Sequence, residues 1–370
     1  MSRCFDELPD LIETSLEAHP RVVLVYFDAF GWRFLERHGE HALFSGARVE
    51  RWTSCFPSTT TVHATTIHSG LTLGEHGLYE WHVLEPRLSR LVTPLWFSFA
   101  GDDRPETLRD SGLAPQDLFP EQTLYRRLLP VASHVALPAA FAGSLTSKAL
   151  LREATVHPFG ETSGGLALLC EALAVEERAY GTIYFDAADA LMHVVGTEAP
   201  EVAAVMEETL SAIADAPWPD GTLVLLTADH GMEGISPERT TYVNLAWPEL
   251  EQHLVLGADG KPLAPAGSCR DLFLHVLPER LDEVAARLGE LLAGVAEVRK
   301  VETLLAEGLF GSNITDALTS RLANLVVLPG PGEAAYWLEP GRFEQHFLGQ
   351  HGGLSANEME IPLVSWVAGA

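Results

Sequence analysis

The chain has 370 residues, of which 47% are hydrophobic, so it can bury a large core in one big domain or in a core with a smaller companion. Its formal net charge of -27 comes from 51 acidic and 24 basic residues, and such a surface repels nucleic-acid polymers and anionic membranes. Neither is expected as a partner, and an anionic substrate would have to be held by local positive charge.

The cysteines and the N-terminal segment indicate a reducing compartment. Cys4, Cys55, Cys170 and Cys269 show no close spacing, so neither a disulfide framework nor a thiolate zinc site is predicted. The first 15 residues are acidic and lack the apolar run of a signal peptide, and no apolar stretch reaches membrane-spanning length. We therefore expect a cytoplasmic protein.

The first strong element is the apolar run 21–30, RVVLVYFDAF. A continuous run of this kind is typical of a strand buried on both faces of a parallel sheet. It contains Asp28 near its end, with Gly31 just after it, and open α/β sheets carry their chemistry at the carboxyl ends of strands. The alternative is that Asp28 caps the next helix.

A hydroxyl-rich stretch, 53–77, follows. We expect Ser58 to cap a helix that begins around Thr60 and ends at Gly70, with a loop over 71–81. A hydroxyl in the first turn lies among unpaired backbone N–H groups, where a phosphate or an oxyanion is stabilised. Taken alone, the stretch is also consistent with a threonine-rich cap whose hydroxyls face solvent.

A second candidate pair follows the next apolar strand. The pattern predicts a helix over 163–179 and a short strand over 182–185. Asp189 and His193 come four residues apart, so a helical backbone would place the carboxylate and the imidazole on one face within chelating distance. Such a pair also occurs as an ordinary contact on a helix surface.

A third candidate pair, Asp229 and His230, ends the apolar strand 221–231. Adjacent residues of a strand point in opposite directions, and Gly231 allows the turn that would bring the two side chains into one site. Residues 251–311 predict an inserted βαβα subdomain without an acid–histidine cluster.

The C-terminal part predicts a core strand at 324–329, a glycine-flanked His351, and a last strand within 357–366. Glycines beside His351 would allow the backbone to approach a ligand closely.

The candidates together comprise three aspartates, three histidines and a hydroxyl, which suit two divalent metal ions with oxygen and nitrogen ligands. Without thiolates among them, zinc is favoured, with manganese or iron as alternatives. The set, in chain order, is Asp28, Thr60, Asp189, His193, Asp229, His230 and His351.

This ordered set of motifs resembles the alkaline phosphatase superfamily, and within it the type I phosphodiesterases and nucleotide pyrophosphatases. The resemblance extends from Asp28 to His351. It implies a three-layer α/β/α sandwich with a mostly parallel sheet, in which 1–250 and 312–370 form the catalytic core and 251–311 a small inserted α+β subdomain.

The resemblance also implies a role for each candidate. Asp28, Asp229 and His230 would hold one metal ion together with the oxygen of Thr60. The second ion would be held by three other residues, Asp189, His193 and His351.

Two positions compete for the nucleophile. The family's threonine lies ten residues before the glycine that ends the helix, which gives Thr60 from Gly70. Cys55, Phe56, Pro57 and Ser58 instead resemble the start of the sulfatase motif, but Thr59 replaces its arginine and the spacing to the glycine is too long. Thr60 is therefore the predicted nucleophile, and a sulfatase is a minor alternative.

The resemblance thus implies a two-metal hydrolase of phosphodiester or pyrophosphate bonds that acts on small phosphate esters through a phosphothreonine. A phosphomonoesterase or phosphonate hydrolase of the same superfamily is the alternative, since residue spacing does not separate them. A non-catalytic metal- or nucleotide-binding protein is a third reading, and a phosphoglycerate mutase would use a serine nucleophile. Thr61, His63 and Arg239 are candidates for contacting the substrate.

Overall fold

A computed structural model describes residues 3–369, which form a three-layer α/β/α sandwich around a seven-stranded sheet. All strands of this sheet run parallel except the last one of the chain, which pairs antiparallel with both of its neighbours. In spatial order the strands are Arg48–Thr53, Glu360–Val367, Thr222–Thr227, Arg21–Phe27, Ala179–Phe185, Ala132–Pro138 and Thr155–Phe159. The expected fold class is confirmed.

The strand Arg21–Phe27 lies at the centre of the sheet and is buried, as its apolar run predicts. It pairs in parallel with Ala179–Phe185 on one side and Thr222–Thr227 on the other. Residues 27 and 185 are register partners, and so are 26 and 227. The three strands therefore end level with one another, and the residues that follow them meet at one edge of the sheet.

The α-helices connect and cover these strands, and the longest are 10 to 16 residues. They are Leu8–Ala18, Trp32–Arg37, Thr60–Ser69, Leu73–His76, Pro115–Leu118, Leu124–Arg127, Ala139–Ala142, Leu145–Leu150, Thr162–Ala174, Ala187–Val195, Pro200–Asp215, Val243–Ala246, Leu281–Leu291, Val301–Ala306, Asp316–Thr319 and Ala356–Met359.

A second, antiparallel sheet of four strands is built from Ala266–Gly267, Leu272–Leu274, Leu325–Pro329 and Ala296–Lys300, in that spatial order. The helix Leu281–Leu291 packs on its edge strand. The core strand predicted at 324–329 is present as the buried strand Leu325–Pro329. It pairs in this second sheet, a partner that a short apolar run does not encode. The domain boundaries at 251 and 311 remain a prediction.

Small sheets complete the fold. Val83–Glu85, Arg90–Thr93 and Ser98–Phe99 form an antiparallel meander. Two short pairs join distant loops, and one of them, Glu233–Gly234 with Gly349–Gln350, fastens the segment before His351 to the segment after His230.

Two local expectations were wrong. The helix expected over 163–179 ends at Ala174, and the next strand begins at Ala179. The loop expected over 71–81 contains the helix Leu73–His76, opened by a capping box in which Glu75 accepts from the amide and hydroxyl of Thr72.

Among residues 3–369, no helix combines the length and the apolar character that crossing a bilayer requires.

Gly77 tests how closely the end of the helix Leu73–His76 packs against the helix Asp316–Thr319. Its φ is +71°, and a Cβ there would lie 2.3 Å from the carbonyl of Ala317. Because both the backbone and the contact exclude a side chain, Gly77→Ala should lower the free energy of unfolding by about 2–4 kcal/mol in urea denaturation.

The matched control is Gly164→Ala in the helix Thr162–Ala174, where Gly164 is exposed and a Cβ meets nothing within 4 Å. This change should stabilise the protein by up to about 1 kcal/mol through helix propensity. Equal midpoints for the two variants would show that the packing at Gly77 is looser than described.

Candidate metal and nucleophile site

The structure brings the seven predicted residues together at the carboxyl edge of the main sheet. Asp28 follows the central strand, while Asp229 and His230 follow its neighbour. Asp189 and His193 lie on the helix Ala187–Val195, which begins directly after the strand on the other side. Thr60 lies at the start of a helix, and His351 lies in a loop.

The first donor group surrounds His230. Its Nε2 lies 3.6 Å from Asp28 Oδ1, 3.3 Å from Asp229 Oδ2 and 3.2 Å from Thr60 Oγ1. The two carboxylates and the imidazole are buried, whereas Thr60 is half-buried. One ligand atom each from Asp28, Asp189 and His230 lie within 4.8 Å of one another.

The second donor group surrounds Asp189. Its Oδ2 lies 3.4 Å from His193 Nε2, and its Oδ1 lies 3.8 Å from His351 Nε2. Ligand atoms of these three residues also lie within 4.8 Å of one another. Asp189 belongs to both groups, so the two positions are adjacent.

Each of the three imidazoles is oriented by a backbone carbonyl. The Nδ1 atoms of His193, His230 and His351 lie 2.8–2.9 Å from the carbonyl oxygens of Gly349, Gly231 and Ser58, respectively. A carbonyl oxygen only accepts, so Nδ1 carries the hydrogen and Nε2 presents a lone pair to the carboxylates. Metal-binding histidines are held in this way.

The electrostatics of the carboxylates call for positive charge. Burial, together with the charges of Asp229 and Asp189, raises the pKa of Asp28 well above its usual value. Burial raises the pKa of Asp189, but a protonated His193, whose Nε2–H would then donate to this carboxylate, outweighs the burial, so that the pKa of Asp189 is lowered. Asp28 Oδ1 and Asp189 Oδ1 are buried without a hydrogen-bond partner.

These observations fit two divalent cations. The orphaned oxygens of Asp28 and Asp189 lie 3.6 Å from His230 Nε2 and 3.8 Å from His351 Nε2, respectively, and both distances are too long for direct hydrogen bonds. Oxygen and nitrogen donors without sulfur suit zinc, manganese or iron.

Asp229 differs from the other acids because its oxygens are already engaged. Its Oδ2 accepts from Tyr26 Oη at 2.9 Å, and its Oδ1 accepts from the amides of Ala29 and His230 at 3.2 and 3.0 Å. It is absent from both groups of mutually close donors. Each carboxylate oxygen has a further lone pair that could bond a metal ion, so Asp229 stays a predicted ligand. Its hydrogen bonds hold the carboxylate in a fixed orientation.

Thr60 is the first residue of the helix Thr60–Ser69, which ends at Gly70 as expected. The residue before it, Thr59, is the N-cap, so the prediction that Ser58 caps the helix was wrong by one position. The amide of Val62 donates to the Thr59 carbonyl at 3.1 Å, so the amides of Thr60 and Thr61 are the ones at this helix start that an anion could engage.

Ser58 instead joins the nucleophile turn to the loop of His351. Its hydroxyl donates to the carbonyl of Gly353 at 2.9 Å and accepts from the amide of Gly352 at 3.1 Å. Its carbonyl holds His351 Nδ1. Ser58 therefore fixes the distance between Thr60 and the second donor group.

His63 supports the same turn from behind. Its Nδ1 lies 2.6 Å from the Thr59 carbonyl, and its Nε2 lies 3.0 Å from Ser54 Oγ and accepts from the Cys55 amide at 3.1 Å. Burial lowers the pKa of His63 to about 4, so it is neutral. With both ring nitrogens engaged, it positions the turn and does not face a phosphate oxygen, contrary to the expectation.

The other two substrate-contact candidates have different surroundings. The Thr61 hydroxyl is buried without a partner in the first turn, beside Thr60. Arg239 is exposed, and its guanidinium pairs with Glu333. Both remain predictions.

Cys55 does not lie among the donors. Its Sγ is 3.6 Å from Cys4 Sγ, whereas Thr60 Oγ1 is the hydroxyl that contacts His230. This placement favours Thr60 as the nucleophile and disfavours the sulfatase reading.

Two tyrosines were missed by the sequence reading. Tyr26 donates to Asp229, and Tyr184 donates to Asp28 Oδ2. The two are register partners on adjacent strands, and their rings meet at 5.0 Å. Each tyrosine bonds an aspartate that follows a neighbouring strand, so no local sequence signal could have found these contacts.

The chain is similar to known proteins in both sequence and fold. The sequence model of the type I phosphodiesterase / nucleotide pyrophosphatase family matches residues 22–97 and 115–353. No curated protein sequence matches the chain.

Solved structures share the fold at low identity. The human ectonucleotide pyrophosphatase/phosphodiesterase 5 has a TM-score of 0.66 and 19% identity, covering 93% of this chain and 87% of that one. The murine protein of the same name gives 0.65 and 19% at the same coverage. Phosphonoacetate hydrolase from Sinorhizobium meliloti 1021, in complex with phosphonoformate, gives 0.64 and 16%, covering 94% of this chain and 90% of that one.

Removing the tyrosine that orients Asp28 should weaken metal binding. Tyr184→Phe is expected to reduce affinity at the first donor group about 10–100-fold, as for other outer partners of metal ligands. Competition with a chromogenic chelator measures this affinity.

Tyr180→Phe is the matched control, because Tyr180 lies on the same strand and packs against Tyr125. It should bind metal like the parent. An unchanged affinity in Tyr184→Phe would mean that the hydroxyl does not orient the ligand.

The raised pKa of Asp28 also predicts a pH dependence. In the metal-free protein the folded state keeps a proton on Asp28 that the unfolded chain loses above about pH 4. Its stability therefore falls as pH rises from about 4 through the folded pKa. Asp28→Asn lacks this titration, so with chelator present it should be more stable than the parent at pH 8 while binding metal more weakly.

Urea midpoints measured from pH 5 to 8 with chelator test this prediction. Taking the difference between variant and parent removes the contribution of the other acidic groups, which titrate in both proteins. Parallel curves would show that Asp28 is not protonated in the metal-free fold.

Proposed function

Because the chain belongs to the type I phosphodiesterase / nucleotide pyrophosphatase family, a family of hydrolases within the alkaline phosphatase superfamily, we propose that it cleaves phosphodiester or pyrophosphate bonds through a phosphothreonine at Thr60. The observation that carries the proposal is the Thr60 hydroxyl, 3.2 Å from His230 Nε2, at the start of a helix and beside two donor groups. A nucleophile, an anion-binding helix start and metal donors are thus combined in one place.

The donors would hold two divalent ions, with zinc proposed and manganese or iron as alternatives. Asp28, Asp229 and His230 would hold one ion, and Asp189, His193 and His351 the other. Bound there, such ions lower the pKa of a nearby hydroxyl and neutralise phosphoryl oxygens.

The chain's own residues supply the nucleophile and its placement. Thr60 Oγ1 loses its proton to solvent and attacks phosphorus, the bond to the leaving alkoxide or phosphate breaks, and water then hydrolyses the phosphothreonine. The first-turn amides, with Thr61 beside them, are the groups that would hold a phosphoryl oxygen. Ser58 and His63 keep the turn in place.

One feature favours an ester with a second organic group over a terminal phosphate. Phe347 is 42% exposed, and its ring centroid lies 4.9 Å from that of His193, which provides an apolar surface beside the second donor group.

The related structures are consistent with this class of substrate. An inactive variant of the murine protein, in which one threonine is replaced by alanine, was solved in complex with AMP. The similar fold of phosphonoacetate hydrolase, solved in complex with phosphonoacetate, supports phosphonate hydrolysis as the alternative function. The cytoplasmic location stays a prediction from the cysteine pattern.

Thr60→Ala should lower kcat by at least about 1,000-fold, because only binding and electrostatic contributions remain when the nucleophile is lost. Thr65→Val is the control, since the Thr65 hydroxyl on the same helix donates only to the carbonyl of Thr61. Mass spectrometry after acid quenching should find a phosphoryl adduct on Thr60 in the parent. Turnover by Thr60→Ala at the parental rate would exclude Thr60 as the nucleophile.

The bond type is measured by kcat/KM on bis-p-nitrophenyl phosphate, p-nitrophenyl phosphate, a dinucleotide and phosphonoacetate. We expect the highest kcat/KM for bis-p-nitrophenyl phosphate and the dinucleotide. Preference for the monoester or for phosphonoacetate would favour the alternative within the superfamily.

A further inference from the structure

A second cluster of metal-ligating side chains lies outside the site described above. It consists of Cys4, Asp6 and Cys55, whose donor atoms all lie within 4.8 Å of one another. The two sulfurs are 3.6 Å apart although the residues are 51 positions apart in the chain. We propose that Cys4, Asp6 and Cys55 bind a thiophilic divalent cation of the zinc class, and this inference does not depend on the proposed hydrolysis.

The distance between the sulfurs matches such a site. Two sulfurs bonded to zinc at about 2.3 Å with a tetrahedral angle lie about 3.8 Å apart. A disulfide would need them to be about 2.0 Å apart. The observed 3.6 Å agrees with two sulfurs that share a cation.

The third donor and the access route also fit. Asp6 lies in the 3-10 helix Phe5–Glu7, which begins directly after Cys4, and both residues are partly exposed. Cys55 is 8% exposed and forms the buried end of the cluster. Three protein ligands leave a fourth position for water, and the exposed side gives a cation a way in.

The cluster is poorly suited to negative charge without a cation. The hydrogen bond with Cys4, and then burial, raise the pKa of the Cys55 thiol. Burial also raises the pKa of the Asp6 carboxyl. Binding forms two sulfur–metal bonds and one oxygen–metal bond, and the thiol protons, including the one that Cys4 directs to the Ser54 carbonyl, pass to solvent.

The cluster connects the N-terminal segment to the nucleophile turn. The Thr53 amide donates to the carbonyl of Arg3 at 2.8 Å, and Cys4 forms a β-bridge with Thr53. The Cys55 amide donates to His63, which in turn holds Thr59. A cation at this position would therefore fasten the N-terminal segment to the loop that positions Thr60.

Cobalt provides a test with a signal specific to sulfur. The proposed catalytic donors contain only oxygen and nitrogen, so a thiolate-to-cobalt charge-transfer band in the near ultraviolet reports on the cysteine cluster alone. The full-length protein is reduced, treated with chelator and titrated with Co²⁺. The band should appear and reach the intensity of one thiolate-bound cobalt per chain, and added Zn²⁺ should abolish it.

The variants separate the cluster from other thiols. Cys4→Ser and Cys55→Ser should each lose the band, and Asp6→Asn should bind cobalt at least tenfold more weakly. Cys170→Ser should keep the band, because Cys170 is a buried cysteine on the helix Thr162–Ala174 that lies outside the donor groups found among residues 3–369.

If Cys55→Ser does not fold, Cys4→Ser in the N-terminal segment decides the question alone. A parent protein without the band, a band that survives in Cys4→Ser, or a Cys4–Cys55 disulfide in the protein as isolated would overturn the inference. Ester hydrolysis by a protein without the band would leave the proposed function untouched, and a band without hydrolysis would count only against that function.

Discussion

The site depends on the burial of three carboxylates against one another. Asp28 and Asp229 follow adjacent parallel strands, and Asp189 comes from the helix that follows the third. Because these parallel strands end at the same level, the aspartates that follow them are held close together. Burial and mutual repulsion raise the pKa of Asp28, and the orphaned oxygens of Asp28 and Asp189 face inwards. Such an arrangement is costly unless cations fill it, and the proposed cations would supply the positive charge that an anionic substrate needs in a strongly acidic protein.

The backbone around the site turns the imidazoles towards these carboxylates. Three carbonyl oxygens accept from Nδ1, and so the Nε2 lone pairs point into the site. The carbonyl of Ser58 belongs to the nucleophile turn, whereas His351 belongs to a loop near the other end of the chain. One serine thus links the proposed nucleophile to the second donor group, and the geometry of the site follows from contacts between loops as much as from the sheet.

Each predicted metal ligand carries a local signal in the sequence. Asp28 and Asp229 end apolar runs, and Asp189 and His193 have helical spacing, so the carboxyl-end rule for parallel sheets placed them together. The roles of Tyr26, Tyr184 and Ser58 depend on strand register and on loop contacts, which no local pattern encodes. The same reason explains why the sequence did not show that the strand Leu325–Pro329 pairs in the second sheet, and why Cys4 and Cys55 gave no metal signal from their spacing.

The most direct test of the two-cation account is a crystal structure of the protein purified without chelator, with anomalous scattering measured at the absorption edge of the metal found in it. The account predicts one anomalous peak within bonding distance of Asp28 and His230, and a second within bonding distance of His193 and His351. A fully ordered site without anomalous density at either position would contradict it.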